Sequence, residues 1–187
     1  QYQIKAVLEG GTRVSLSNRD QARSIHNKGP EPPYLQRATV TSFNDVAEVR
    51  WKPSDAYTVK GYEVFCEQGN RLSKIAQIND PDKTLATDSF AIPEQQSICY
   101  YVRALDACGN ESELSNRGCL IQPTAEALDL ENRVFWPAYR KGEEGVRAYE
   151  VFKQLANGSY TAFANLDSNA RQYPDQALRD SADQFCY

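Results

Sequence analysis

The segment Tyr2-Gln-Ile-Lys-Ala-Val7 returns 98 positions later as Tyr100-Tyr-Val-Arg-Ala-Leu105, and each copy leads to a Leu-Ser-Asn, at 16–18 and again at 114–116. A second set of matches has a shorter offset. Gly61-Tyr-Glu-Val-Phe65 recurs 87 positions on as Ala148-Tyr-Glu-Val-Phe152, and Ile98-Cys-Tyr100 recurs at the same offset as Phe185-Cys-Tyr187. Trp51 has its counterpart in Trp136, 85 positions on. A period of about 90 residues is too long for a solenoid repeat and matches a small domain, so each copy has to bury its own core. The 187 residues therefore divide into the last hairpin of one module (1–22), a Pro-rich linker (23–33), one complete module (34–122) and a third module that lacks its last strands (123–187).

Inside each copy the apolar residues alternate with period two, the signature of a strand with one buried face. Tyr2, Ile4, Ala6 and Leu8 share a face, Gly10-Gly11 supplies a turn, and Val14 starts a second strand. In the complete module the expected strands are 38–41, 46–51, 61–66, 74–78, 89–92, 98–106 and 112–121, with turn signals such as Gln68-Gly-Asn and Asp80-Pro-Asp between them. Seven short strands so spaced predict an all-β fold of tandem seven-stranded sandwiches, one complete and two partial. The inward positions are then Trp51, Tyr62, Val64, Tyr100 and Val102, and by repetition Trp136, Tyr149, Val151 and Tyr187. In the third module the first strand is expected to be short or absent. The junction after 121 is expected to be stiffer than the polar, Pro-rich one at 29–33.

The order of these motifs resembles the fibronectin type III fold: a Trp ending the second strand, Gly-Tyr-Glu-Val in the third, Tyr-x-Val-x-Ala in the sixth and Ser-Asn in the last. A narrower resemblance lies in Cys99-Tyr-Tyr-Val-Arg-Ala-Leu-Asp-Ala-Cys-Gly-Asn-Glu-Ser-Glu-Leu-Ser-Asn116 with Cys119, and in 143–151 with Tyr160-Thr-Ala-Phe-Ala. It is similar to repeats of very large, gliding-motility-associated surface proteins exported by the type 9 secretion system. That resemblance implies an extracellular, cell-surface repeat of an adhesin-like protein. Its partners would be flanking modules of the same polypeptide, and other surface or secretion-system proteins or glycans.

The five cysteines in a small β-rich chain point to an oxidising compartment. A hairpin turn centred on Gly109 places Cys99 opposite Cys119, at a separation that suits a disulfide, on the face turned away from Tyr100, Val102 and Ala104. Cys186 matches Cys99 in the third module, with its partner outside the chain. Cys66 faces inward as a buried thiol; a Cys66–Cys108 bridge is too long, and a Cys66–Cys99 bridge needs opposite faces to meet. The states of Cys66 and Cys108 stay open. No metal site is expected, because the Cys-x-x-Cys spacing is missing and the single His, His26, lies in the linker.

The remaining chemistry is sparse. Trp51 and Trp136 read as core residues and not as sugar platforms. Tyr100 and Tyr187 read as corner tyrosines whose hydroxyls bond nearby backbone. Asp80-Pro-Asp82 and Asp106 with Asn110 read as side-chain-stabilised turns and not as calcium loops. A net charge of −4 and a pI near 5.1 leave no electrostatic footprint for nucleic acid. No stretch of this segment reaches the length of apolar chain needed for membrane insertion. No nucleophile–base set and no cofactor motif is present. The sequence is thus read as a non-enzymatic spacer or adhesive repeat region of a large bacterial surface protein. The alternative is an accessory, glycan-binding module of a secreted polysaccharide-degrading enzyme, for which Tyr57, Tyr101 and Tyr139 are the candidate aromatic contacts.

Overall fold

The computed structural model describes residues 1–7, 14–21, 28–41, 46–55, 58–89, 97–129, 131–139, 145–155 and 157–176. All regular elements among them are strands, so the fold is all-β. The expected Gly10-Gly11 turn, His26, Tyr57, Cys186 and Tyr187 lie outside the described residues.

The first hairpin pairs β1 (Lys5–Val7) with β2 (Val14–Leu16), Lys5 opposite Leu16 and Val7 opposite Val14, and a bridge joins Tyr2 to Asp20. Its apolar side chains, Tyr2, Ile4, Val7, Val14 and Leu16, are all exposed.

Residues 34–119 form two facing sheets. One holds β3 (Tyr34–Thr41), β4 (Val46–Lys52) and β7 (Leu85–Asp88), in the order β3-β4-β7. The other holds β5 (Val59–Gln68), β6 (Arg71–Ile78), β8 (Ile98–Asp106) and β9 (Gly118–Cys119), in the order β6-β5-β8-β9. This division is that of a fibronectin type III-like sandwich. Alternation along the strands sends Leu35, Ala38, Ala47, Val49 and Trp51 from one sheet, and Tyr62, Val64, Tyr100, Val102 and Ala104 from the other, into one core. The Trp51 and Tyr62 rings meet edge to face with centroids 5.4 Å apart. Burying each such large side chain stabilises the sandwich by about 2–3 kcal/mol.

Of the expected strands, the fifth falls mostly outside the described residues and the last differs from its expected span. The described strand after β6 runs over Leu85–Asp88, and the fifth strand expected at 89–92 lies, beyond Ser89, outside the described residues. The strand that pairs with β4 turns Ala86 and the polar Asp88 inward. Asp88 is tolerated there because the Tyr100 hydroxyl meets it. The last strand is expected across 112–121, but its ladder covers only Gly118–Cys119. Pro30 and Pro33 of the predicted linker are buried, and Gly29 lies so close to the Glu111 carbonyl that a Cβ there would collide with it.

The third module repeats the plan. Strands β10 (Thr124–Leu128), β11 (Glu131–Phe135) and β14 (Gln172–Asp175) form one sheet, and β12 (Ala148–Gln154) with β13 (Tyr160–Asp167) the other. Its first strand is short and present, since Thr124 to Leu128 pair with Phe135 to Glu131. Trp136 and Tyr149 are buried with ring centroids 5.7 Å apart, and Val151 is half-buried.

Candidate functional site

The structure joins Cys99 and Cys119, which face each other across β8 and β9, with an S–S distance of 2.07 Å. Cys99 alternates with the core residues Tyr100 and Ile98, yet it is fully buried. Glu67 lies directly opposite it on β5 and gathers two partners over this part of the sheet. Arg117 Nε donates to Glu67 Oε2 at 2.7 Å and Tyr101 OH donates to the same oxygen at 3.1 Å. The Arg117 guanidinium holds the Glu67 carboxyl below the usual carboxylate range, against the opposing effect of burial and with help from Tyr101.

The hairpin that carries the disulfide is not a plain ladder. Near its tip the pairing is centred on Cys108, with Asp106 N–H bonded to Asn110 O and Leu105 opposite Glu111. At the disulfide it is centred on Gly109. Two serines absorb the shift. Ala104 N–H donates to Ser112 Oγ (2.8 Å) while Ser112 N–H donates to Ala104 O (2.9 Å). Val102 N–H donates to Ser115 Oγ (2.9 Å) while Ser115 N–H donates to Val102 O (2.8 Å). The β8 partners are two residues apart and the serines three, so each extra residue carries a backbone carbonyl out of reach. The serine hydroxyl takes the place of that carbonyl, and passes its own proton to Glu113 O or Asn116 O.

The same clip stands in the first hairpin. Ile4 N–H donates to Ser17 Oγ (2.8 Å), Ser17 N–H donates to Ile4 O (2.9 Å), and Ser17 Oγ donates to Asn18 O (2.8 Å). Sequence reasoning used Leu-Ser-Asn as a repeat marker and missed its task. Asn116 completes it in the full module: its side chain accepts Leu35 N–H (2.8 Å) and donates to Leu35 O (2.9 Å), fastening the start of β3 to the end of the hairpin. Gly118 follows because a Cβ there would strike the Leu35 side chain.

Inside the core, Tyr100 OH donates to Asp88 Oδ2 at 3.0 Å. The expected bond to nearby backbone is thus replaced by one to a buried carboxylate, because the inward residue of β7 is acidic. Cys66 is a half-buried free thiol beside this pair. Burial first, then the Asp88 charge, pushes the Cys66 thiol up, which favours its protonated form. The third module fills the matching positions differently: Lys153 stands where Cys66 does, and its Nζ is 2.7 Å from Asp175, the counterpart of Asp88. Cys108 is free and exposed at the hairpin tip.

The loop carboxylates are consumed locally. Asp106 Oδ1 accepts the backbone N–H groups of Cys108 and Asn110, both at 2.8 Å, and Oδ2 accepts the Asn110 amide. The Asn110 amide, with these backbone donors, holds the Asp106 carboxyl below its usual range against burial. Asp80 Oδ1 accepts Asp82 N–H at 3.0 Å. Among the described residues no three His, Cys, Asp or Glu gather as metal ligands, and no helix is long and apolar enough to cross a membrane. Of the aromatic candidates, the two among the described residues are bound to different partners: Tyr101 to Glu67, and Tyr139 to Ala38, its hydroxyl donating to Ala38 O at 3.0 Å.

No protein-family model matches the chain, and no curated protein matches it in sequence. Among solved structures it is similar to an Fn3-like protein from Clostridium thermocellum, at 24% identity over 54% of this chain and 100% of that one, with a TM-score of 0.43. It is also similar to the FN1-FN3 domains of chicken CNTN1, at 13% identity over 86% of this chain and 59% of that one, with a TM-score of 0.39. A third likeness is to pectate lyase Pel3 from Pectobacterium carotovorum, at 21% identity over 48% of this chain and 27% of that one, with a TM-score of 0.38. The chain thus spans less than two thirds of the second and third, and each likeness is one of fold alone.

Proposed function

We propose that this chain is a non-enzymatic, extracellular spacer or adhesive repeat region of a large bacterial cell-surface protein, of the kind its resemblance to gliding-motility-associated, type 9-secreted repeats implies. The observation that carries the reading is the repeated fastening of the last hairpin. The same serine clip stands at Ser17 and Ser115, with the Cys99–Cys119 disulfide added in the complete module. The polar side chains that would ordinarily suggest a site are spent on holding strands together: Ser112, Ser115, Asn116, Asp106 and Glu67 all bond backbone or neighbouring side chains. A disulfide in a small β domain fits an oxidising, extracytoplasmic setting. The work of such a segment is to carry load and distance, and its immediate partners are the modules on either side of it.

The reading is tested by adding antibody raised against residues 34–122 to intact cells of the native host. Labelling without permeabilisation is the expected result. Labelling only after permeabilisation would place the chain inside the cell and end the proposal.

A further inference from the structure

We infer that Tyr139 is a lock between the second and third modules, fixing their relative orientation. Its hydroxyl reaches the outer edge of β3, the edge strand of its sheet. There it donates to Ala38 O at 3.0 Å, while Ala38 N–H approaches the same oxygen at 3.4 Å. One phenol therefore occupies both backbone groups of a single edge residue. The other end of Tyr139 is anchored: its backbone N–H donates to Tyr149 OH at 3.0 Å, and Tyr149 is buried against Trp136 in the third module. A continuous path then runs from the core of one module to the sheet edge of the other. Arg37, Thr39, Val40 and Ile121 line a groove together with Tyr139 at this contact.

The connection is also short. Leu120 is buried in the core of the second module and β10 begins at Thr124, so only Ile121, Gln122 and Pro123 intervene. Pro123 further restricts the residue before it.

The repeat supplies an internal comparison. Tyr139 stands three residues after Trp136, and Ser54 stands three residues after Trp51. Tyr62, the counterpart of Tyr149, donates its hydroxyl to Pro81 O at 3.2 Å. Ser54 has no ring to project, and its buried hydroxyl has no hydrogen-bond partner among the described residues. The same repeat position thus carries a ring in one copy and a hydroxymethyl group in the other. The inference concerns geometry and stands apart from where the protein is displayed.

The test uses the full 187-residue chain. Backbone residual dipolar couplings from the second and third modules are fitted together, in the parent and in Tyr139→Phe, which removes only the hydroxyl and keeps the backbone bond to Tyr149. One alignment tensor is expected to fit both modules of the parent, and two tensors are expected for the variant. Two tensors in the parent, or one still sufficient in the variant, would overturn the lock. Amide exchange in the parent gives an answer that needs no variant. Ala38 N–H should exchange at least about tenfold more slowly than the next edge amide, Val40. Equal rates at the two positions would sink the inference.

Discussion

Glu63 shows how a single buried charge is made tolerable. It is only 5% exposed on β5, and Lys74 Nζ at 3.0 Å and Arg103 at 2.6 Å reach its two oxygens from the strands on either side. Arg103 also stacks over the Phe65 ring, its guanidinium carbon 5.1 Å from the centroid, and pairs with Glu111, so it is fixed before Glu63 is counted. Burial opposes ionisation of Glu63, but the Lys74 and Arg103 bonds outweigh it and the carboxyl is held below its usual value. A carboxyl lowered on folding contributes stability above the unfolded pKa, near about 4.3, and that contribution disappears as pH falls through the folded value. Glu63→Gln should therefore lower the urea midpoint at pH 7, by an amount equal to roughly 2 kcal/mol. The gap between variant and parent should narrow as the pH falls below the unfolded value and close once it has passed through the lower folded value, where both carry an uncharged side chain. A gap that stays constant from pH 7 to pH 3 would mean that the ion pairs do not stabilise the fold. The Asp88 and Asp175 positions make the same point by a different route. One carboxylate is met by a neutral phenol and the other by Lys153, with Cys66 standing where Lys153 does.

At the scale of the element, the closing hairpin depends on side chains to complete its backbone bonding. Val102 is fully buried, and its N–H has Ser115 Oγ as its acceptor. Ser115→Ala leaves that donor buried and unpaired, which costs about 1–3 kcal/mol. Chemical denaturation of parent and variant, read at matched m-values, checks the figure, and an unchanged midpoint would show that water replaces the hydroxyl at no cost. This hairpin also marks how far the sequence could be read. The alternation of Tyr100, Val102 and Ala104 and the facing cysteines are patterns of hydropathy and register, both written locally in the chain. A turn centred on Gly109 leads to the observed cysteine pair, although the tip is centred on Cys108, because the shift across Ser112 and Ser115 moves the pairing by the difference. The shift itself follows from side-chain-to-backbone bonds that leave no trace in an apolar pattern. Strand β7 escaped the sequence reading for the same reason: Leu85–Asp88 turns a polar residue inward, and the partner Tyr100, from a distant strand, makes that acceptable.

Across the whole molecule, Tyr-Glu-Val-Phe and the Trp strand occur twice in the sequence, and the two copies lie in separate sheets. The junction was less legible, since Tyr139 and Ala38 are 101 residues apart and the bond uses a backbone edge that any residue could present. A segment of this design should also respond to force in a particular way. Tension applied through the chain ends enters the complete module at β3 and leaves after β9, so it must break the Asn116–Leu35 fastening before the core yields. Once the sandwich opens, the disulfide keeps its loop, a sequence separation of 20, out of the stretched length. At about 3.6 Å per residue the withheld length is roughly 70 Å. In single-molecule extension of the 187-residue chain between fixed ends, the step assigned to the complete module should therefore lengthen by that amount when reductant is present. The lengthening should follow the opening of the sandwich, because Cys99 is fully buried while the module is folded. Steps of equal length with and without reductant would show that the bond does not limit extension, and the hairpin closure would then have no mechanical part to play.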